Sequence, residues 1–268
     1  MITALLLPII VAAPAVAAFI LLATPSRWTG VTRGISLAGA SVSLAGSIAV
    51  AYHYDRAAGG LQLTYDLPLI PSLGVHLNLA VDGWGVTLLL LTGVIIFAAV
   101  LASFTVQRRD KEFFIYLLVL VAGVFGVFVS QDLLVFFVFY EIAVLPMYLL
   151  IGIWGSSNAV AEAGPFRFVW KMFDVGGREY AAMKLTLMLL LGSAAILVSI
   201  FVLYQAAGAT TFNLAALGAA TYARNTQLVI FPLLWLGFGT LAGVFPFHTW
   251  SPDGHAAAPT AVSMLHAG

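Results

Sequence analysis

The 268-residue sequence contains no cysteine and very little charge. Without cysteine there is no disulfide framework, no thiolate metal site and no iron–sulfur ligation. Charged residues make up 8% of the chain, against about 25% in soluble domains. The 11 basic and 11 acidic residues cancel, so no overall field favours nucleic acid. Hydrophobic residues fill 62% of the positions. Too little polar surface remains to face water, and the bilayer must be the solvent for most of the chain. The first apolar run, Ile2 to Ala23, lacks the basic leader and small-residue cleavage site of a signal peptide, so it reads as a helix that stays.

A crossing needs about 20 apolar residues. Such runs occur near 2–23, 34–54, 84–106, 113–130, 132–154, 181–206 and 228–246, and an eighth begins near 257. The expected fold is an all-α membrane protein: a polytopic bundle of seven full transmembrane helices plus the start of an eighth. Alternate loops share a side. One set holds Arg27, Arg33, Arg108, Arg109, Lys111, Arg167, Lys171 and Arg178; the other holds only Arg56 and Arg224. Basic residues are retained on the cytoplasmic side, which predicts a multi-pass protein of the inner (plasma) membrane with its N-terminus outside.

Two loops are long. In the outer one, at 55–83, Val75, Leu77, Leu79 and Val81 alternate with polar or small residues, and Leu61, Leu63, Tyr65 and Leu67 do likewise. Pro71-Ser72-Leu73-Gly74 supplies a turn between them, so a small β-hairpin is expected near 60–82, bracing the neighbouring helices. The inner loop at 155–180 is polar and mixed in charge, and partial disorder is expected there.

An ionisable side chain near mid-bilayer costs at least ~2.5–3.5 kcal/mol on insertion scales, so it usually faces a polar interior and carries function. Glu141 is the clearest case, among Phe136, Phe137, Phe139, Tyr140 and Ile142. Pro146 follows, and a proline has no amide hydrogen, so the carbonyl of Ile142 loses its helical partner. A carboxylate beside a free carbonyl is a hydratable spot whose protonation its neighbours can adjust, as a proton relay requires. The alternative is a carboxylate that only pins two helices. Lys184, in the first turn of its span, is the expected partner of Glu141, unless it snorkels to the interface. Gly237, Gly239 and Gly243 weaken the seventh span and Pro246 breaks it; discontinuous helices mark ion sites in transporters. His248, Asp253 and His255 follow, with a spacing that matches no zinc pattern. His266 lies inside the eighth span and is either a proton carrier or a neutral ring bonded to a backbone carbonyl.

The run Phe139-Tyr140-Glu141-Ile142-Ala143-Val144-Leu145-Pro146-Met147-Tyr148, continuing to Gly155, resembles the fifth-helix motif of the subunit M family of bacterial NADH:quinone oxidoreductase (complex I). Phe245-Pro246-Phe247-His248-Thr249-Trp250-Ser251-Pro252-Asp253-Gly254-His255, with Ala258-Pro259-Thr260-Ala261-Val262-Ser263, resembles that family's signature after its broken seventh helix. Ala181-Ala182-Met183-Lys184 resembles the start of its sixth helix.

The resemblance implies a non-redox, antiporter-like subunit of the membrane arm that relays protons through buried Glu, Lys and His residues. Its partners would be the other membrane-arm subunits and lipid, and the NADH, FMN, iron–sulfur clusters and quinone would belong to partner subunits. Glu141 matches the family's fifth-helix glutamate and Lys184 its sixth-helix lysine. His266 falls on the eighth helix, where a related antiporter-type subunit has a histidine. Residues 1–110 would form the first three transmembrane helices with the outer hairpin, and 111–268 the first antiporter-like repeat, helices four to eight and incomplete. A proton would enter near the broken helix, load the Glu141–Lys184 region and pass toward His266. Two departures stand out. Leu241 occupies the place of the family's usual seventh-helix lysine. The chain also stops inside a helix, where the family continues into a second, inverted repeat, so it reads as a fragment that would not pump by itself. A subunit of an Mrp-type cation/proton antiporter, a membrane subunit of a membrane-bound hydrogenase, and a purely structural scaffold are the competing readings.

Overall fold

The computed structural model describes residues 5–157 and 177–267. Most of the loop expected to be partly disordered, 158–176, lies outside the described residues, as do residues 2–4 of the first expected span.

Five long helices come first: α1 (Leu6–Ala23), α2 (Thr29–His53), α3 (Gly83–Ala102), α4 (Asp110–Val129) and α5 (Leu133–Trp154). Next come α6 (Arg178–Ala206), a short α7 (Leu214–Ala219) and α8 (Arg224–Leu241), then α9 (Trp250–Ala257) and α10 (Thr260–Ala267). Helices α1 to α6 are long and apolar enough to cross a membrane. The chain is a membrane protein built as a helix bundle. The seventh expected span differs from the rest. Helix α8 starts on Arg224, Asn225, Thr226 and Gln227 and has 18 residues, so its composition falls short of the other six.

The break after α8 is where the glycine and proline content places it. Gly243 has φ +66°, a left-handed conformation that a side chain rarely adopts. A 3₁₀ turn, Phe247–Thr249, leads into α9. Pro252 sits in the first turn of α9, where its missing amide hydrogen would have no helical partner anyway. Pro259 immediately precedes α10.

The hairpin is present as strands β1 (Gln62–Ile70) and β2 (Val75–Val81), paired antiparallel. The turn is a 3₁₀ turn over Pro71–Leu73, closed by Gly74 at φ +66°. Val75, Leu79, Ala80 and Val81 are buried against the helix ends. Gln131 N donates to Asn78 O (2.8 Å), and Tyr204 Oη donates to Leu73 O (3.1 Å). The hairpin thus joins the α4–α5 turn to the end of α6. Helix α5 begins at Asp132, 1% exposed, whose Oδ1 accepts from Leu134 N and Val135 N at 3.0 Å each. Its Oδ2 accepts from His76 N at 3.2 Å. One carboxylate caps the helix and fastens the hairpin to it.

Candidate functional site

Helices α4 and α5 approach closely because Gly123 and Gly126 on α4 face Phe139 and Ala143 on α5. This contact sets the position of Glu141, which lies between those two residues in sequence. Its Oε1 is buried and has no hydrogen-bond partner. The Tyr140 hydroxyl beside it is also buried without a partner.

Lys184 does not pair with Glu141. Its Nζ donates to Asp253 Oδ2 at 2.7 Å, across from α6 to α9. The reason is register. A Cβ on Gly152 would meet Ala182 Cβ at 3.8 Å, so those two positions are level on the antiparallel α5 and α6. Lys184 is then level with position 150. Glu141 lies nine residues deeper, about 13 Å at 1.5 Å per residue, beyond the reach of a lysine side chain.

The ion pair holds the piece after the break against α6. Asp253's side chain is 40% exposed, so solvent screens the attraction. Disrupting the pair is expected to cost about 1 kcal/mol or less. A double-mutant cycle of Asp253→Asn and Lys184→Met, read by thermal unfolding of the full-length protein, measures it. A coupling energy of zero would show that the pair adds nothing.

His266 on α10 is stacked on His255 of α9, with ring centroids 4.1 Å apart, and on Trp250 at 5.2 Å. Trp250 Nε1 donates to Thr240 O (2.9 Å), which anchors α9 to the end of α8. His255 Nδ1 lies 3.2 Å from Ser263 Oγ. His266 Nδ1 is buried with no partner, so the expected alternative of a backbone bond is not made through that nitrogen. Pro246 and His248 are exposed at the break. Among the described residues, no three histidine or acidic side chains group closely enough to hold a metal ion.

The structure therefore brings His255 and His266 together, and Lys184 and Asp253 together, and leaves Glu141 deeper in the bundle. Asp132 and Tyr140 are the residues that sequence reasoning did not single out. Asp132 had a signal, because an acidic residue immediately before an apolar helical run is an N-cap pattern. Tyr140 had none beyond being a hydroxyl in a span.

Six bilayer-length apolar helices among the described residues, followed by a helix that ends at a break, define a polytopic α-helical membrane protein. The chain belongs to the NADH:quinone oxidoreductase/Mrp antiporter transmembrane family, whose model matches residues 130–176 and 174–268. NAD(P)H-quinone oxidoreductase chain 4 2 of Thermosynechococcus vestitus is 34% identical over 256 residues, 95% of this chain and 44% of that one. A chain of respiratory complex I from Thermus thermophilus has the same fold, with TM-score 0.73 and 24% identity, covering 97% of this chain and 48% of that one. So does a chain of an archaeal membrane-bound sulfane sulfur reductase, with TM-score 0.74 and 23% identity over 96% of this chain and 37% of that one. The chain spans less than half the length of these relatives.

Proposed function

We infer that the protein carrying this chain is a non-redox membrane-arm subunit of a proton-pumping NADH:quinone oxidoreductase. In this reading it relays protons through Glu141, Lys184 and His266. The observation that carries the reading is the Glu141 carboxylate, held inside an apolar span with a buried oxygen that no protein group satisfies. A group placed there at a cost of ~2.5–3.5 kcal/mol or more needs a reason, and taking up and releasing a proton is one. The family membership and the printed name of the 34%-identical relative support the same reading.

Residues 1–110 then form the N-terminal three-helix unit with the hairpin, and 111–268 the repeat that carries the ionisable groups. NADH, FMN, iron–sulfur clusters and quinone sit on partner subunits. The skew of Lys and Arg between the loop sets supports an N-terminus on the outside of the plasma membrane. In the relay itself, the Lys184–Asp253 pair ties α6 to the segment after the break. A shift of that segment would part the ammonium from Asp253, and so change the proton affinity of both groups.

The test is Glu141→Gln in the full-length protein within its complex, assayed as NADH-driven proton uptake by inverted vesicles. Uptake is expected to fall about tenfold, equivalent to about 1.4 kcal/mol on the barrier, with the complex still assembled. Wild-type uptake would overturn the relay role. A second reading, a subunit of a cation/proton antiporter, is favoured by the antiporter half of the family description. Copurification of flavin- and cluster-bearing subunits with the tagged full-length protein separates the two.

A further inference from the structure

Between α4, α5, α6 and the α8–α10 segment lies a pocket of about 250 Å³, lined in part by Val127, Tyr140, Met147, Leu241, Trp250 and His266. Most of its wall is apolar. Two of the lining residues nevertheless carry polar atoms that no protein group satisfies, Oη of Tyr140 and Nδ1 of His266. They come from different helices, α5 and α10. Leaving a buried polar atom unpaired costs about 1–3 kcal/mol, and bound water is the usual remedy where space allows. Space does allow it, since a water needs roughly 30 Å³ of liquid volume and two to four polar partners. Trp250 Nε1, on the same wall, is already spent on Thr240 O.

We propose that Tyr140 is a positioning residue for proton transfer: its hydroxyl holds water in this pocket, and that water links the neighbourhood of Glu141 to the His266 ring. The proposal rests on the relay reading of Glu141 and His266 and adds the element between them. The Tyr140 hydroxyl keeps its proton and orients the water, which hands a proton on as it takes one up. The imidazole accepts at one nitrogen and releases the proton of the other, and it returns to its starting tautomer by exchange with the same water before the next passage. Leu241 and Val127 are among the apolar residues of the rest of the wall, so the two polar atoms are where water would be held.

The experiment is hydroxyl-radical footprinting of the full-length protein in its complex in native membranes, without turnover. Radicals form from water inside the pocket, and Met147 is the readily oxidised reporter on its wall. Met147 oxidation is expected in the wild type and is expected to fall several-fold in Val127→Phe, which fills the space. It should also fall in Tyr140→Phe, which keeps the ring and removes one water partner. Proton uptake per NADH should drop about fivefold in Tyr140→Phe, the effect of one lost hydrogen bond of about 1 kcal/mol. Unoxidised Met147 in the wild type, or Tyr140→Phe behaving as wild type in both assays, would overturn the proposal. The relay reading fails separately. Normal pumping by Glu141→Gln with Met147 still oxidised removes the relay and leaves the hydrated gap; the converse result removes the gap and leaves the relay.

Discussion

Asp132→Ala is expected to destabilise the protein by about 3 kcal/mol or more, among the largest losses from any single side chain outside the apolar core. The carboxylate accepts three backbone amide hydrogens, from Leu134, Val135 and His76, in a site that is 1% exposed. Alanine removes a helix cap, worth about 0.5–2 kcal/mol. It also strands buried donors at about 1–3 kcal/mol apiece, partly relieved by relaxation. Asp132→Asn is the control. Its amide oxygen can still cap α5, but its NH₂ cannot accept from His76, so the expected loss is only about 1 kcal/mol. Thermal unfolding of the full-length complex gives the order wild type, then Asn, then Ala. Limited proteolysis should cut the hairpin faster in the alanine variant. Equal stability of the two variants would mean that the His76 bond does not anchor the hairpin.

Gly123→Val is expected to do comparable damage by a different route. A Cβ at position 123 would stand 2.8 Å from both Ala143 N and Phe139 O. Both are backbone atoms of α5, so no side chain can rotate aside. The helices must separate, and overpacking of this kind costs about 1–3 kcal/mol or more. The separation also displaces Glu141, so pumping should fall further than the loss of assembled complex explains. Gly152→Ala, at the contact of α5 with α6, is the contrast. Its Cβ would meet Ala182 Cβ at 3.8 Å, an ordinary contact. Gaining a helix former there should stabilise by roughly 0.5–1 kcal/mol. If Gly123→Val assembled and pumped like wild type, the close approach of α4 and α5 would not be what places the glutamate.

The spans were legible because a bilayer imposes one requirement, length of apolar chain, that a sequence displays directly. The hairpin was legible for a similar reason: residues 75–81 alternate with period two, and Pro71 to Gly74 spell a turn. The break was visible in Gly243 and Pro246. What could not be read was the register between helices. Lys184 and Glu141 are the obvious opposite charges in the spans, yet their depths differ by about 13 Å, because α5 and α6 pack with position 152 level with 182. No local pattern encodes that offset. Helix α7 was missed because it is six residues long and capped by Asn213, whose side chain accepts from Ala216 N. The family comparisons bear out the resemblance carried by the motifs around Glu141 and His248. The roles of individual residues rest on the experiments above.

The hairpin has a consequence for the order in which the chain is made. Its contacts to Asp132 and Tyr204 reach 56 and 131 residues ahead. At about 5–20 residues per second, a ribosome delivers Tyr204 roughly 7–26 s after Leu73. Until Gln131 arrives to bond Asn78 the outer edge of β2 is free, which is the condition that invites mispairing between chains, and the turn stays unfastened until Tyr204 follows. Cellular helpers that cover nascent strands on that face of the membrane would therefore matter most during the synthesis of α3 to α6, and slowing translation over those helices should lower the yield of assembled protein.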